Sequence, residues 1–242
     1  PGYNDPIPRS GIIKRRKSKT RAKVGSALAI YPNGVWLTAK HVIEGCKKLV
    51  VQAGLKNGKP ANLVPKEIIF HPNADLAVII TPHTDYKRQA FRLSGSDDVV
   101  RDAFHIGFPK GKPGAVHSRF LGRMKVRRGR KRNSRENVAV WAEITRIPNI
   151  SGSLGGISGG PVVDATGTLI GVNSAGSVRR GRILTSRPSS LKNVIRSSGH
   201  KIPNAKKRRP AILELTKKDY PSYAKAAIQD RRVVRVICRK KL

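Results

Sequence analysis

The sequence predicts an all-β fold, and three observations carry that prediction. Short apolar runs alternate with turn signals along most of the chain, and strands of that length and spacing assemble into a barrel or a sandwich. At 242 residues the chain can bury a sizeable core, as one β-rich domain or as two smaller subdomains. No apolar run reaches the roughly 18 residues of a membrane-spanning helix.

Taken in order, residues 1–22 are rich in Pro, Lys and Arg and read as an arm without regular structure. From Lys23, the runs 25–31, 35–38, 48–53, 66–70 and 75–81 read as strands, with Pro32-Asn33-Gly34 as the hairpin turn between the first two. Residues 93–102 read as a link. A second set of strands follows at 103–108, 116–121, 138–144, 160–163, 168–175 and 182–185. Pro188-Ser189-Ser190-Leu191 reads as the start of a short helix capped by Ser189 or Ser190. Residues 203–210 form a basic linker, and 211–215, a helical 220–229 and a strand-like 233–238 form an extension. The expected units are an arm (1–22), a first β unit (23–98), a second (99–200), and a linker with C-terminal extension (201–242).

The net charge of +36, from 50 Lys and Arg against 14 Asp and Glu, exceeds what solubility requires and points to an anionic partner. The excess is clustered at 14–21, at Arg123, Lys125, Arg127, Arg128, Arg130, Lys131 and Arg132, at 206–209 and at 239–241. The partner classes that fit are nucleic acid, an anionic lipid or glycan surface, and an acidic protein; solvated loops are the plain alternative. Aromatic residues are only 5% of the chain. That leaves few stacking platforms, so any nucleic-acid binding would be non-specific and salt-sensitive.

Two cysteines, Cys46 and Cys238, lie near opposite ends. A disulfide between them would tie the tail to the first β unit and suit an oxidising compartment; two separately buried thiols remain the other reading. With no supporting histidine pattern they make no zinc site, and no metal or cofactor is expected. The first residues lack the apolar core of a secretory leader, so the chain is either a mature form without its leader or one never exported.

Three segments carry chemistry. Gly155-Gly156-Ile157-Ser158-Gly159-Gly160-Pro161 sets one serine among residues that let backbone amides crowd around it. An acyl-transfer site needs that arrangement, because a tetrahedral oxyanion requires N–H donors close to the nucleophile. Gly34-Val35-Trp36-Leu37-Thr38-Ala39-Lys40-His41-Val42 ends an apolar run in a histidine, as a strand delivering a base would. In Asn73-Ala74-Asp75-Leu76-Ala77-Val78 an aspartate precedes a buried-looking strand. A carboxylate is costly there unless it is paired, and an imidazole is the partner that justifies it.

The chain order His41, Asp75, Ser158 and these three motifs resemble trypsin-like, chymotrypsin-fold serine proteases, of the HtrA and glutamyl-endopeptidase branch. Phe104-His105-Ile106-Gly107-Phe108-Pro109 is similar to the strand that opens the second barrel, and 167–176 to the segment that binds substrate backbone. The resemblance spans residues 23–195. It implies two six-stranded antiparallel β-barrels, here with the basic arm and a short α/β C-terminal extension too small for a PDZ domain. It implies a serine endopeptidase, with Ser158 as nucleophile, His41 as general base, Asp75 as orienting carboxylate, and the Gly156 and Ser158 amides as oxyanion hole. It favours an exported, periplasmic bacterial setting. A viral processing protease of the same fold is a weaker fit to 107–109 and 167–176.

The family places the base of the primary pocket six residues before the nucleophile, and tryptic enzymes carry a carboxylate there. This chain has Gly152, so a Lys or Arg preference is not implied. Asn173 and Ser153 stand where glutamyl endopeptidases carry histidine and threonine, which does not imply strict acidic specificity either. Ser153, Asn173, Ala175 and Gly176 point to a small or polar residue before the scissile bond. The main chain of Ser174, Ala175 and Gly176 would pair with an extended polypeptide substrate. The alternative is a catalytically silent scaffold of this fold whose basic surface binds a polyanion.

Overall fold

The computed structural model describes residues 6–13, 22–56, 59–82, 90–98, 100–128, 135–149, 151–177, 181–203 and 215–240. The basic stretches 14–21, 129–134 and 206–209, and the expected strand residues 211–214, lie outside the described residues.

In chain order the strands and helices are β1 (Ser10–Ile13), β2 (Ala22–Tyr31), β3 (Val35–Thr38), α1 (Lys40–Ile43), β4 (Lys48–Lys56), β5 (Lys59–Leu63), β6 (Glu67–Phe70), β7 (Ala77–Ile80) and β8 (Asp102–Gly107). After a 3-10 turn at Pro109–Gly111 come β9 (Gly114–Arg128), β10 (Arg135–Ile147), β11 (Pro161–Val163), β12 (Leu169–Ser177), β13 (Arg182–Ser186), α2 (Pro188–Ser197), α3 (Tyr220–Gln229) and β14 (Val233–Arg239). They build two β layers in the two-barrel arrangement expected. In the second, β8-β9-β10-β13-β12-β11 closes on itself, since β8 pairs with both β11 and β9. The first is a curled sheet ordered β5-β4-β14-β2-β3-β7-β6.

The tail does not stay outside the barrels as the sequence led us to expect. Its strand β14 lies between β2 and β4 and pairs antiparallel with both. The physical reason is burial: Val233, Val234, Val236 and Cys238 are all buried, and a strand so apolar needs a neighbour on each side and a core beneath it. Cys238 forms a disulfide with Cys46, just past α1. Two further departures concern short strands. β1, within the expected unstructured arm, pairs parallel with β9. β5 pairs with β4 although its Pro60-Ala61-Asn62 core has little strand propensity.

Three apolar clusters follow from this topology. Trp36, Val51, Ile79 and Val236 fill the first sheet, and Trp141, Val116, Val162 and Ile183 fill the second barrel. The largest lies at the seam, where Leu28, Leu37, Phe104, Ile106 and Leu169 meet Leu191 and Ile195 of α2 and Tyr220 of α3. The start of α2 also differs from expectation. Pro188 occupies the first helical turn and Arg187 is the cap residue, so neither serine caps the helix. Instead Asp97 accepts from the Ser189 amide (2.8 Å) and hydroxyl (2.7 Å). Burial alone would raise the Asp97 pKa, but the Ser189 bonds and the charges of Arg187 and Arg123 hold it below its usual value.

Candidate active site

β3 ends at Thr38, and the chain turns through Ala39 into the single turn of α1, which carries His41. Asp75 closes the bend at 72–75 before β7. That bend is held by His71, whose Nδ1 accepts the amides of Asn73 (3.0 Å) and Ala74 (2.7 Å). Burial, and then the charge of Lys40, lower the His71 pKa, which keeps the ring neutral and able to accept.

The structure brings His41 and Asp75 together. The His41 amide donates to Asp75 Oδ1 (2.9 Å), and His41 Nδ1 lies 2.7 Å from Asp75 Oδ2. Ser174 Oγ donates to the same Oδ2 (2.7 Å). The Asp75 side chain is fully buried while that of His41 is 30% exposed, so the ring is oriented from inside and open on its other edge. Behind Asp75 sits a second buried carboxylate that the sequence reading missed. Glu136 Oε2 accepts the Asp75 amide (3.0 Å), and its Oε1 accepts the Ser186 hydroxyl (2.5 Å). The signal was present: the alternation of Val138 and Val140 in β10, carried back two residues, places Glu136 on the inward face.

Ser158 is half-buried in the turn between Gly155 and Gly160. Two glycines fit this turn against the first barrel. A Cβ on Gly159 (φ +89°) would lie 2.1 Å from Ser26 O and 2.3 Å from Thr38 Oγ1, and one on Gly156 (φ +105°) 2.3 Å from Phe108 O. Ser26 in β2 joins the two barrels here: its amide donates to Ser158 O (2.8 Å), and its hydroxyl donates to Gly156 O (2.8 Å) while accepting the Phe108 amide (3.0 Å). No hydrogen bond links His41 to Ser158 among the described residues.

The amides of the turn divide cleanly. That of Gly155 donates to Ser153 Oγ, Ile157 to Leu154 O, Gly159 to Asn173 O and Gly160 to Ile157 O. The Gly155 and Gly156 carbonyls are both taken, by the Lys110 amide and the Ser26 hydroxyl. The two amides with no acceptor among the described residues are those of Gly156 and Ser158.

Beside Ser158 lies a cavity of about 90 Å³ lined by Gly152–Gly155, Ile157, Asn173–Gly176, Ile183 and the residues Glu143, Arg146 and Arg182. Ile183 belongs to the barrel core as well as to the cavity wall. Arg146 Nη1 donates to Gly152 O (2.8 Å), while its guanidinium is bridged to Glu143, with Nη2–Oε2 at 2.6 Å. The Asn173 side chain does not face an incoming group. It is buried, with Oδ1 2.6 Å from His105 Nδ1 and Nδ2 donating to Gly160 O (3.1 Å). β11 pairs with β12 only as far as Val172, so Ala175 and Gly176 have no strand neighbour on that edge among the described residues. Those residues include no group of three or more His, Cys, Asp or Glu side chains arranged to hold a metal.

The family model described as a trypsin-like peptidase domain matches residues 25–172. Among solved structures, the active form of the Rv3671c protease from M. tuberculosis is 16% identical with a TM-score of 0.58, covering 83% of this chain and 95% of that one. Its inactive form is 18% identical with a TM-score of 0.54, covering 74% and 88%. The HtrA-type protease AlgW with a decapeptide is 24% identical with a TM-score of 0.54, covering 73% of this chain and 52% of that one. At these identities the likeness is one of fold. No curated protein matches the sequence.

Proposed function

The chain belongs to the trypsin-like peptidase family, and on that premise we propose that it is a serine endopeptidase working through Ser158, His41 and Asp75. Ser158 Oγ attacks the scissile carbonyl carbon as His41 Nε2 takes its proton. The Oγ–C bond forms, the carbonyl becomes an oxyanion, and His41 returns the proton to the departing amine. Water then repeats the sequence to release the acid and restore Ser158. Asp75, bonded to His41 Nδ1, fixes the tautomer that leaves Nε2 to accept and stabilises the imidazolium formed in each half. The observation that carries this reading is the division of amides in the 155–160 turn. The two N–H groups without an acceptor, Gly156 and Ser158, are those an oxyanion beside Ser158 requires. A silent scaffold gives no reason for leaving that pair unmatched.

The substrate is a polypeptide. The small cavity, with Gly152, Ser153 and Ile183 in its lining, favours a small or polar side chain before the scissile bond, and Ala175 and Gly176 offer a strand edge to its backbone. Glu143, the one carboxylate in that lining, is bridged by Arg146, which argues against recruitment of Lys or Arg. The Cys46–Cys238 disulfide suits an oxidising, exported setting. Cleavage of a proteome-derived peptide library tests both parts of the proposal. Cuts should follow Ala, Ser, Thr or Val and vanish in Ser158→Ala; cuts mainly after Lys or Arg would overturn the pocket assignment, and no cuts at all the catalytic one.

A further inference from the structure

The outer face of β1, β9 and β10 carries a cationic ladder that peptide-bond chemistry leaves unexplained. Side chains alternate along a strand. Arg123 and Lys125 are exposed and Arg127 half-exposed on one side of β9, while Val126 is buried on the other. On β10, Arg135 is the Cα partner of Arg127, and Asn137 that of Lys125. Like charges placed directly opposite each other destabilise a sheet. No carboxylate relieves this pair, since none of the ion pairs among the described residues involves Lys125, Arg127 or Arg135. Arg123 donates to Asp97 O (2.6 Å) at the ladder's other end.

The parallel register of β1 adds a second observation. Ser10 pairs with Lys125 and Ile13 with Arg128, so both strands leave the sheet at the same end. The chain continues from one into Lys14-Arg15-Arg16-Lys17 and from the other into Gly129-Arg130-Lys131-Arg132. In the sequence, each of these two strand ends is followed by a basic stretch.

We propose that this face docks the phosphate backbone of a nucleic-acid duplex. Alternate residues on a strand stand about 6.8 Å apart, close to two base-pair steps of one duplex strand at about 3.4 Å each. Arginine forks suit phosphate oxygens. Among the described residues the face carries no aromatic platform for unstacked bases. Among the described residues these strands expose two large apolar side chains, Ile12 and, at the far end of β10, Ile147, too little to bury in a lipid surface. Recognition rests on the backbone and is blind to sequence.

The test is fluorescence anisotropy of the full chain with a labelled DNA duplex of about 20 base pairs, titrated between about 50 and 200 mM salt, where each phosphate contact contributes about 0.9 to the slope of log K against log salt. The variant Lys125→Gln/Arg127→Gln/Arg135→Gln is compared with Lys217→Gln/Lys218→Gln/Lys225→Gln, which removes the same charge from exposed positions around α3. The ladder variant should bind at least about tenfold more weakly with a slope shallower by about 2–3, and the control should change less than about twofold. Equal losses in both variants, no duplex binding by the parent chain, or preferential capture by phosphatidylserine vesicles would each overturn the proposal.

Discussion

Asp75 is held from both barrels, its carboxylate by His41 and Ser174 and its amide by Glu136. A carboxylate with no exposure is tolerable because these bonds replace water. Glu136→Ala leaves the Asp75 amide and the Ser186 hydroxyl without their acceptor. It should lower stability by about 1–3 kcal/mol in urea unfolding, with Glu136→Gln, which keeps one acceptor oxygen, losing less than half as much. Equal losses in the two variants would show that the acceptor is not what Glu136 supplies. Gly159→Ala puts a methyl group where Ser26 O lies 2.1 Å away. It should displace the Ser158 turn and abolish peptide turnover, and retained turnover would contradict so tight a seam.

Element by element, the strands that buried one face were legible in the sequence. Periodicity found β2, β3, β6, β7, β8 and β10–β13 because apolar alternation is strong there. It stopped short at Val138 in β10, where Glu136 on the inward face breaks the apolar pattern for the sake of Asp75. It missed β5, whose pairing with β4 overrides its own weak propensity. It found β14 but misplaced it, since nothing local says which sheet a strand joins. The His41–Asp75 contact was legible as motif order; the Ser26 bridge was not, because it depends on how the barrels meet. Buried His105, in β8, makes a testable contribution at this scale. Burial lowers its pKa from 6.5 to about 4, outweighing the hydrogen bond that its Nδ1–H donates to Asn173 Oδ1. The unfolded chain takes up the proton first, so the stability tied to this residue is complete above pH 6.5 and lost as pH falls towards about 4, a change of about 3 kcal/mol. Melting temperature against pH should fall across that window in the parent chain and less steeply in His105→Gln. Identical slopes would contradict a neutral buried ring.

Across the whole molecule, the disulfide and β14 close the chain on itself. Cys46 and Cys238 are 192 residues apart, so their bridge restricts the unfolded chain strongly. Replacing both with Ser should lower stability by about 2–5 kcal/mol, read as the shift in denaturant midpoint; no shift would mean that strand pairing alone fixes the tail. The charge belongs to this scale too, since a net +36 acts on association with anionic partners and stands apart from the chemistry proposed at Ser158. The proposed chemistry requires both barrels, because the Ser158 turn belongs to one and His41 to the other. Labelling of the folded protein with a fluorophosphonate, located by mass spectrometry, tests this most directly. The account predicts a single adduct on Ser158, absent from Ser158→Ala and strongly slowed in His41→Ala; no adduct on Ser158 in the folded parent chain would contradict it.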